Sequence, residues 1–273
     1  MSITADFHLH SSFSEDCNIP MEEMIQAGIA KGLTAMCFTE HNDFDFPKED
    51  DTSSHEPFLL NVDSYLYELL NMRKKYQDRI RILFGIEIGL QQSCLRKNII
   101  LSKSHDFDFI IASSHLCQGK DPYYPSFFEG RDVRECYRLY FEEMLANVKS
   151  FLGFDVYGHL DYIARYAPPE SERFLYADYR DIIDEILKTL IHNEKAIECN
   201  TSGLRKPFNA TNPCPEIIRL YRELGGEIIT VGSDAHTPSN IAADFDKAAE
   251  VLKDCGFQYY ATFEGRQPSF HKL

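Results

Sequence analysis

Ile80-Arg81-Ile82-Leu83-Phe84-Gly85-Ile86-Glu87-Ile88-Gly89 is the clearest strand in the chain. It is an apolar run of strand length, interrupted by one acid, Glu87. A short continuous apolar run reads as a buried strand. The residues before it, about 61–77, have the period of a long amphipathic helix, and a second helix is expected over about 93–104. A buried strand between helices is the repeating unit of a parallel sheet.

The same unit recurs on both sides. The chain begins with Asp6-Phe7-His8-Leu9-His10, a strand in which side chains alternate, so that His8 and His10 share a face. Pro20 opens a helix over 21–31, with Glu22 and Glu23 near its positive end and Gly32 as a stop. A strand over 33–39 ends in Glu40-His41-Asn42-Asp43, and a polar loop spans 43–57. After the central strand come a strand over 107–115, an aperiodic stretch over 116–130, a helix over 133–151 and a strand over 154–161. Helices over 179–192, 215–224 and 239–255 alternate with strands over 196–200 and 228–232, and a short tail follows. Strand and helix alternate seven times with no linker between them. The expectation is therefore one domain over 1–273, an α/β, distorted seven-stranded (β/α)7 barrel of TIM-like form rather than an open doubly wound sheet. A Gly-x-Gly-x-x-Gly turn after the first strand is absent, which removes the usual dinucleotide site.

The polar residues fall at the strand ends: His8 and His10, Glu40 and His41, Glu87, His115, His159 and Asp161, Asn200, Asp234 and His236. In a parallel barrel those ends meet at one mouth. Taken singly, each has an ordinary explanation. His159 can hydrogen-bond a carbonyl, Glu87 can pair with an Arg inside the barrel, and Asp234 can cap a helix. Taken together, one shared cause is simpler than seven separate ones, and a metal cluster is that cause. The donors outnumber what one zinc ion with three protein ligands needs, so two or three ions are expected. His55, His105, His192 and His271 lie in loops, helices or the tail and are expected at the surface.

Composition sets the limits. With 20 Phe and 15 Tyr in 273 residues, the chain has ample material for a core. A net charge of −15 opposes duplex DNA binding, which requires a basic face, so no nucleic-acid partner is expected. It does not oppose an anionic small molecule, because bound cations add positive charge locally. Eight scattered Cys without a Cys-x-x-Cys pair read as reduced, partly buried thiols rather than disulfides. No signal peptide and no membrane-length apolar run is visible, so a cytoplasmic protein with no membrane partner is expected.

These residues resemble the PHP (polymerase and histidinol phosphatase) family. The match runs in order through His8-Leu9-His10, Glu40-His41, Glu87, His115, His159 and Asp234-Ala235-His236, and Gly-Ser-Asp-Ala-His-Thr-Pro over 232–238 is especially specific. The resemblance implies a distorted seven-stranded barrel with up to three ions (Zn, Fe or Mn) at the strand ends. It assigns His8, His10, Glu87 and Asp234 to a first ion. Glu87, with His115 and His159, goes to a second, and Asp16, His41 and His236 to a third. Asp16 stands where some family phosphatases have a third His, which favours the histidinol-phosphate branch. Glu40, Asp161 and Asn200 are expected to orient ligands or hold water.

The implied reaction is hydrolysis of a phosphate monoester, histidinol phosphate, by a hydroxide held between two ions, with Glu87, Asp234 and His236 as catalytic residues. Arg165 and Arg205, each just past a strand end, are expected to contact the phosphate or shape its pocket. The stretches over 43–57 and 116–130 are expected to form walls or lids of the site. Two alternatives stay open: a family phosphoesterase for a nucleotide, an oligonucleotide end or phosphotyrosine, and a metal-dependent module without enzymatic activity.

Overall fold

The computed structural model describes residues 3–48, 56–168 and 174–273. Seven parallel strands follow one another around a single sheet: β1 (Ala5–Leu9), β2 (Ala35–Asn42), β3 (Arg81–Gly89), β4 (Phe109–Ser113), β5 (Val156–Tyr157), β6 (Ala196–Asn200) and β7 (Ile229–Gly232). The connecting helices are α1 (Met21–Ala30), α2 (Val62–Tyr76), α3 (Leu95–Leu101), α4 (Val133–Ser150), α5 (Arg180–His192) and α6 (Pro215–Glu223), with α7 (Phe245–Asp254) after the last strand. The ring nearly closes between β7 and β1. There Asp234 N donates to His8 O at 2.7 Å and His10 N to Ala235 O at 3.0 Å. A Cβ on Gly232 would lie 2.3 Å from His8 Cβ, so only glycine lets the two strands approach this closely.

Local chemistry fixes the helix ends. Asn61 accepts a hydrogen bond from Ser64 N at 3.0 Å and so caps α2, whose last turn carries Arg73, Lys74 and Lys75 at the negative end of the dipole. Arg73 continues into the sheet, donating to Ile82 O at 2.7 Å and pairing with Asp108. Asp132 caps α4 through Arg134 N at 2.8 Å. Inside the barrel, Phe7 packs edge-on against Phe109, which packs in turn against Phe263. Each fully buried Phe contributes roughly 1.5–3 kcal/mol. This apolar floor lies beneath a mouth made of polar side chains.

Four sequence expectations change. The helix expected over 239–255 begins only at Phe245, after a short turn over Pro238–Asn240. Ala242 and Asp244 adopt positive φ, Ala242 N is held by Asp6 Oδ2 at 3.0 Å, and Lys31 Nζ takes the carbonyls of Ser239 and Ile241. These tertiary bonds override the helical period. The short tail is instead an antiparallel hairpin, β8 (Tyr259–Glu264) with β9 (Gln267–Lys272). Gly265 and Arg266 both have positive φ, the two-residue turn that matches strand twist. The hairpin covers the N-terminal ends of the central strands, where Arg266 pairs with Asp155 and Gly265 N reaches Asp108 Oδ1. β5 pairs over two residues only, leaving His159 just beyond the ladder, whereas β2 stays paired through Glu40 and His41 to Asn42. All eight cysteines are unpaired and buried. No helix among the described residues is long and apolar enough to cross a membrane.

Candidate metal centre

Glu87 stands near the end of β3, fully buried, and five imidazoles from four strand ends reach its carboxylate. Oε2 lies 3.0 Å from His8 Nε2, 3.5 Å from His10 Nε2 and 3.1 Å from His41 Nδ1. Oε1 lies 3.1 Å from His115 Nε2 and 2.9 Å from His159 Nε2, and accepts the Ser113 hydroxyl at 2.6 Å. His8 and His10 both face the cluster although β1 and β2 slip out of register between Asp6 and Leu9. That slip is a one-residue bulge, and a bulge re-aims side chains at a barrel rim.

A second carboxylate, Asp234, sits in a left-handed backbone position just after β7. Its Oδ1 is 3.8 Å from each of His8 Nε2, His10 Nε2 and His236 Nδ1, and its Oδ2 accepts from Arg165 Nη1 at 2.9 Å. At the mouth, Asp16 Oδ2 lies 3.1 Å from His236 Nε2 and 3.7 Å from His41 Nε2. The rings of His41, His10 and His236 stack, with His10 in the middle, at 4.1 and 4.3 Å between centroids.

The side chains fit cations. His10 Nε2 is buried without a hydrogen-bond partner, and the oxygens it faces are 3.5 and 3.8 Å away. Sets of three donors converge within 4.8 Å, among them His8–His10–Glu87, Glu87–His115–His159 and His10–His41–His236. Imidazole with carboxylate suits zinc, iron or manganese. Electrostatics agree. Burial opposes ionisation of Glu87, yet His8, His115 and His41 hold its pKa well below the usual range. Burial likewise opposes Asp234, and His8 and Arg165 hold it low. Burial opposes a charge on His8, but Glu198, Glu87 and Asp234 raise its pKa well above the ordinary value. Burial and then the charges of His41 and His236 push His10 well below it. The carboxylates of Glu87 and Asp234 are thus held in the ionised form, and His10 in the neutral form that can ligate, while the proton favoured on His8 is one that a bound cation would displace.

A cleft of about 600 Å³ opens above the cluster. His41, His115, His159, Asp234 and His236 form its floor, and Arg165, Arg205 and Lys206 one side. The stretch over 116–130 supplies Asp121, Tyr123 and Tyr124 to another side, where Tyr162 and Tyr166 join them; Phe46 comes from the polar loop, of which residues 49–55 lie outside the described residues, and Phe58 from just after it. Arg165 is almost fully buried and gives one hydrogen bond each to Asn212, Asn200 and Asp234. Arg205 is more exposed, donating to Ser233 O at 2.6 Å and to Thr201 at 3.3 Å, with Asp244 Oδ2 3.6 Å from its Nη1. Asn200 joins this network, accepting from Arg165 Nη2 at 2.9 Å and donating to Asp234 Oδ2 at 3.2 Å. Glu40 stays behind the ligands, bound by the hydroxyls of Ser11 and Ser14, and Ser14 also meets His10 Nδ1 at 3.1 Å. Asp161 instead anchors the loop after β6 through Asn212 Nδ2 and Cys214 N, away from the imidazoles. His192 is exposed and His105 and His271 are half-buried, whereas His55 lies outside the described residues.

Two acids here escape a reading by strand ends. Glu198 Oε2 meets His8 Nδ1 at 2.8 Å, and Asp43 Oδ1 meets His115 Nδ1 at 2.8 Å. Each had a signal. Glu198 is an acid within an apolar strand, two residues before Asn200 and on the same face. Asp43 follows His41 by the same interval.

The PHP domain family matches residues 6–202. The chain is 34% identical over 261 residues to the histidinol-phosphatase of Lactococcus lactis subsp. lactis, covering 95% of this chain and 94% of that protein. It is also 34% identical over 253 residues to a "Probable histidinol-phosphatase" of Clostridium acetobutylicum, covering 93% and 94%. A crystal structure of histidinol phosphate phosphatase from Lactococcus lactis subsp. lactis, in complex with zinc, L-histidinol and phosphate, superposes with a TM-score of 0.89 at 32% identity, over 97% of this chain and 98% of that one.

Proposed function

The chain belongs to the PHP domain family, and from that premise we propose that it hydrolyses L-histidinol phosphate to L-histidinol and phosphate with two or three bound metal ions. The observation that carries the reading is Glu87, whose two oxygens face His8, His10 and His41 on one side and His115 and His159 on the other. A carboxylate so placed can be shared between two cations. His8, His10, Glu87 and Asp234 would hold the first ion, Glu87, His115 and His159 the second, and Asp16, His41 and His236 the third.

Bound ions of this kind lower the pKa of a water, clamp phosphate oxygens and neutralise the charge that develops on them. The protein's part is placement. Arg165 and Arg205 border the cleft beside Asp234 and offer fork-shaped donors to a phosphate there. Asp121, with Tyr123, Tyr162 and Tyr166, lines the cleft as well, giving an acidic and aromatic surface suited to a cationic amino alcohol. The related crystal structure holding L-histidinol and phosphate supports the same substrate.

The test compares turnover of histidinol phosphate with that of a 3′-nucleotide and phosphotyrosine, before and after chelation and metal restoration. The expected result is preferential, metal-restored hydrolysis of histidinol phosphate. Preference for either other ester would reassign the substrate, and no metal-restored hydrolysis of any ester would reject the enzyme.

A further inference from the structure

Glu198 is wholly buried in the middle of β6, and no step of the reaction above uses it. Its two oxygens have different partners. Oε1 accepts the backbone N–H of His159 at 2.6 Å and the side-chain amide of Asn200 at 3.0 Å. Oε2 lies 2.8 Å from His8 Nδ1, while the other ring nitrogen of His8 faces Glu87 and Asp234. An ionised carboxylate can only accept hydrogen bonds. The proton of a neutral His8 therefore belongs on Nδ1, and its lone pair on Nε2 faces the cluster. We propose that Glu198 is a positioning residue that locks this tautomer and so makes His8 Nε2 a metal ligand; the proposal rests on the ligand assignment given above.

The neighbouring bonds determine what an amide would do in its place. His159 N is a backbone donor and cannot reverse. Asn200 cannot turn over either, because its Oδ1 accepts from Arg165 Nη2 and Ser202 N, both at 2.9 Å, while its Nδ2 also reaches Asp234 Oδ2. The position of Glu198 Oε1 must therefore hold an acceptor. In Glu198→Gln the carbonyl oxygen takes that position, and the amide NH2 turns toward His8 Nδ1. Nδ1 must then accept, its proton moves to Nε2, and an N–H points at Glu87 where a lone pair is needed. In Glu198→Ala nothing dictates the tautomer, and His8 can still ligate. The conservative replacement should thus harm metal binding more than the deletion, which is the reverse of what a purely structural role predicts.

The experiment uses the full chain as wild type, Glu198→Gln, Glu198→Ala and His8→Ala, each checked for folding by circular dichroism. Zinc is counted by elemental analysis and its affinity measured by chelator competition. The expected result for Glu198→Gln is a native spectrum with one ion bound about ten- to a hundredfold more weakly, the usual cost of removing the acid behind a metal-bound imidazole. Glu198→Ala should be affected less. Nitrogen-15 NMR of the zinc-loaded protein should place the His8 proton on Nδ1 in the wild type and on Nε2 in Glu198→Gln. Wild-type zinc affinity in Glu198→Gln would overturn the proposal, as would greater harm from a folded Glu198→Ala. If Glu198→Ala does not fold, the comparison of Glu198→Gln with wild type decides. His8→Ala separates the two levels: if it too keeps all its zinc, the ligand assignment fails, whereas if it alone loses an ion, only the positioning role fails.

Discussion

Arg165→Lys keeps the positive charge in the cleft and removes the fork. A guanidinium has five N–H donors. Three are engaged within the protein: Nε to Asn212 Oδ1 at 2.7 Å, Nη1 to Asp234 Oδ2 at 2.9 Å and Nη2 to Asn200 Oδ1 at 2.9 Å. One donor is left on each terminal nitrogen, the pair that a phosphate takes bidentately. Lysine has three donors in all and cannot serve three acceptors and a phosphate. Losing two hydrogen bonds to a charged group at about 1.5–3 kcal/mol each removes about 3–6 kcal/mol. At about 1.4 kcal/mol per tenfold, kcat/KM should fall about a hundred- to ten-thousandfold. Leaving the buried Asn212 oxygen without its donor costs stability by a separate amount, about 1–3 kcal/mol. Steady-state kinetics at saturating metal measure the first effect, and urea unfolding of the metal-free protein the second. Inhibition by free phosphate should weaken alongside kcat/KM, because the product meets the same two donors. A variant less stable by that amount, with kcat/KM within about threefold of wild type, would show that Arg165 only ties Asn200, Asn212 and Asp234 together.

Two further outcomes follow from the site. His10→Ala and Asp234→Asn should each lose bound metal and turnover while keeping the native circular dichroism spectrum; full activity in either, measured with elemental analysis beside it, would contradict the ligand set. Burial pushes the Glu40 carboxyl from 4.5 up to about 7, against the hydrogen bonds from Ser11 and Ser14. The folded metal-free protein therefore keeps a proton that the unfolded chain has released, so this residue's contribution to stability falls as pH rises from about 4.5 to about 7 and is level above. Subtracting the stability of Glu40→Gln, which does not titrate, from that of wild type across pH isolates the trend, and a flat difference would refute it.

What was legible in the sequence and what was not have one physical origin. The strand period gives the direction of a side chain, and parallel order gives the end of the barrel at which it emerges. That is enough to bring His8, His10, Glu87, His115, His159, Asp234 and His236 to one mouth before any coordinate is known, because each is defined by its own strand. It cannot say what stands behind them. His8 meets Glu198 across nearly the whole chain, and the contact depends on β1 and β6 flanking β7 where the ring nearly closes rather than on either strand alone. Asp43 was hidden differently: β2 was expected to end at residue 39, but its ladder runs to Asn42, and the longer strand delivers Asp43 to His115. The helix start and the C-terminal hairpin are illegible for the same reason, since Asp6, Lys31 and Asp108 hold backbone atoms far from them in sequence. The proposed ligands thus announce themselves by position along a strand, while the acids behind them are set by packing between strands. On the positioning role proposed for Glu198, the choice of which His8 nitrogen is free to bind comes from a partner on another strand, and position along β1 alone cannot supply it.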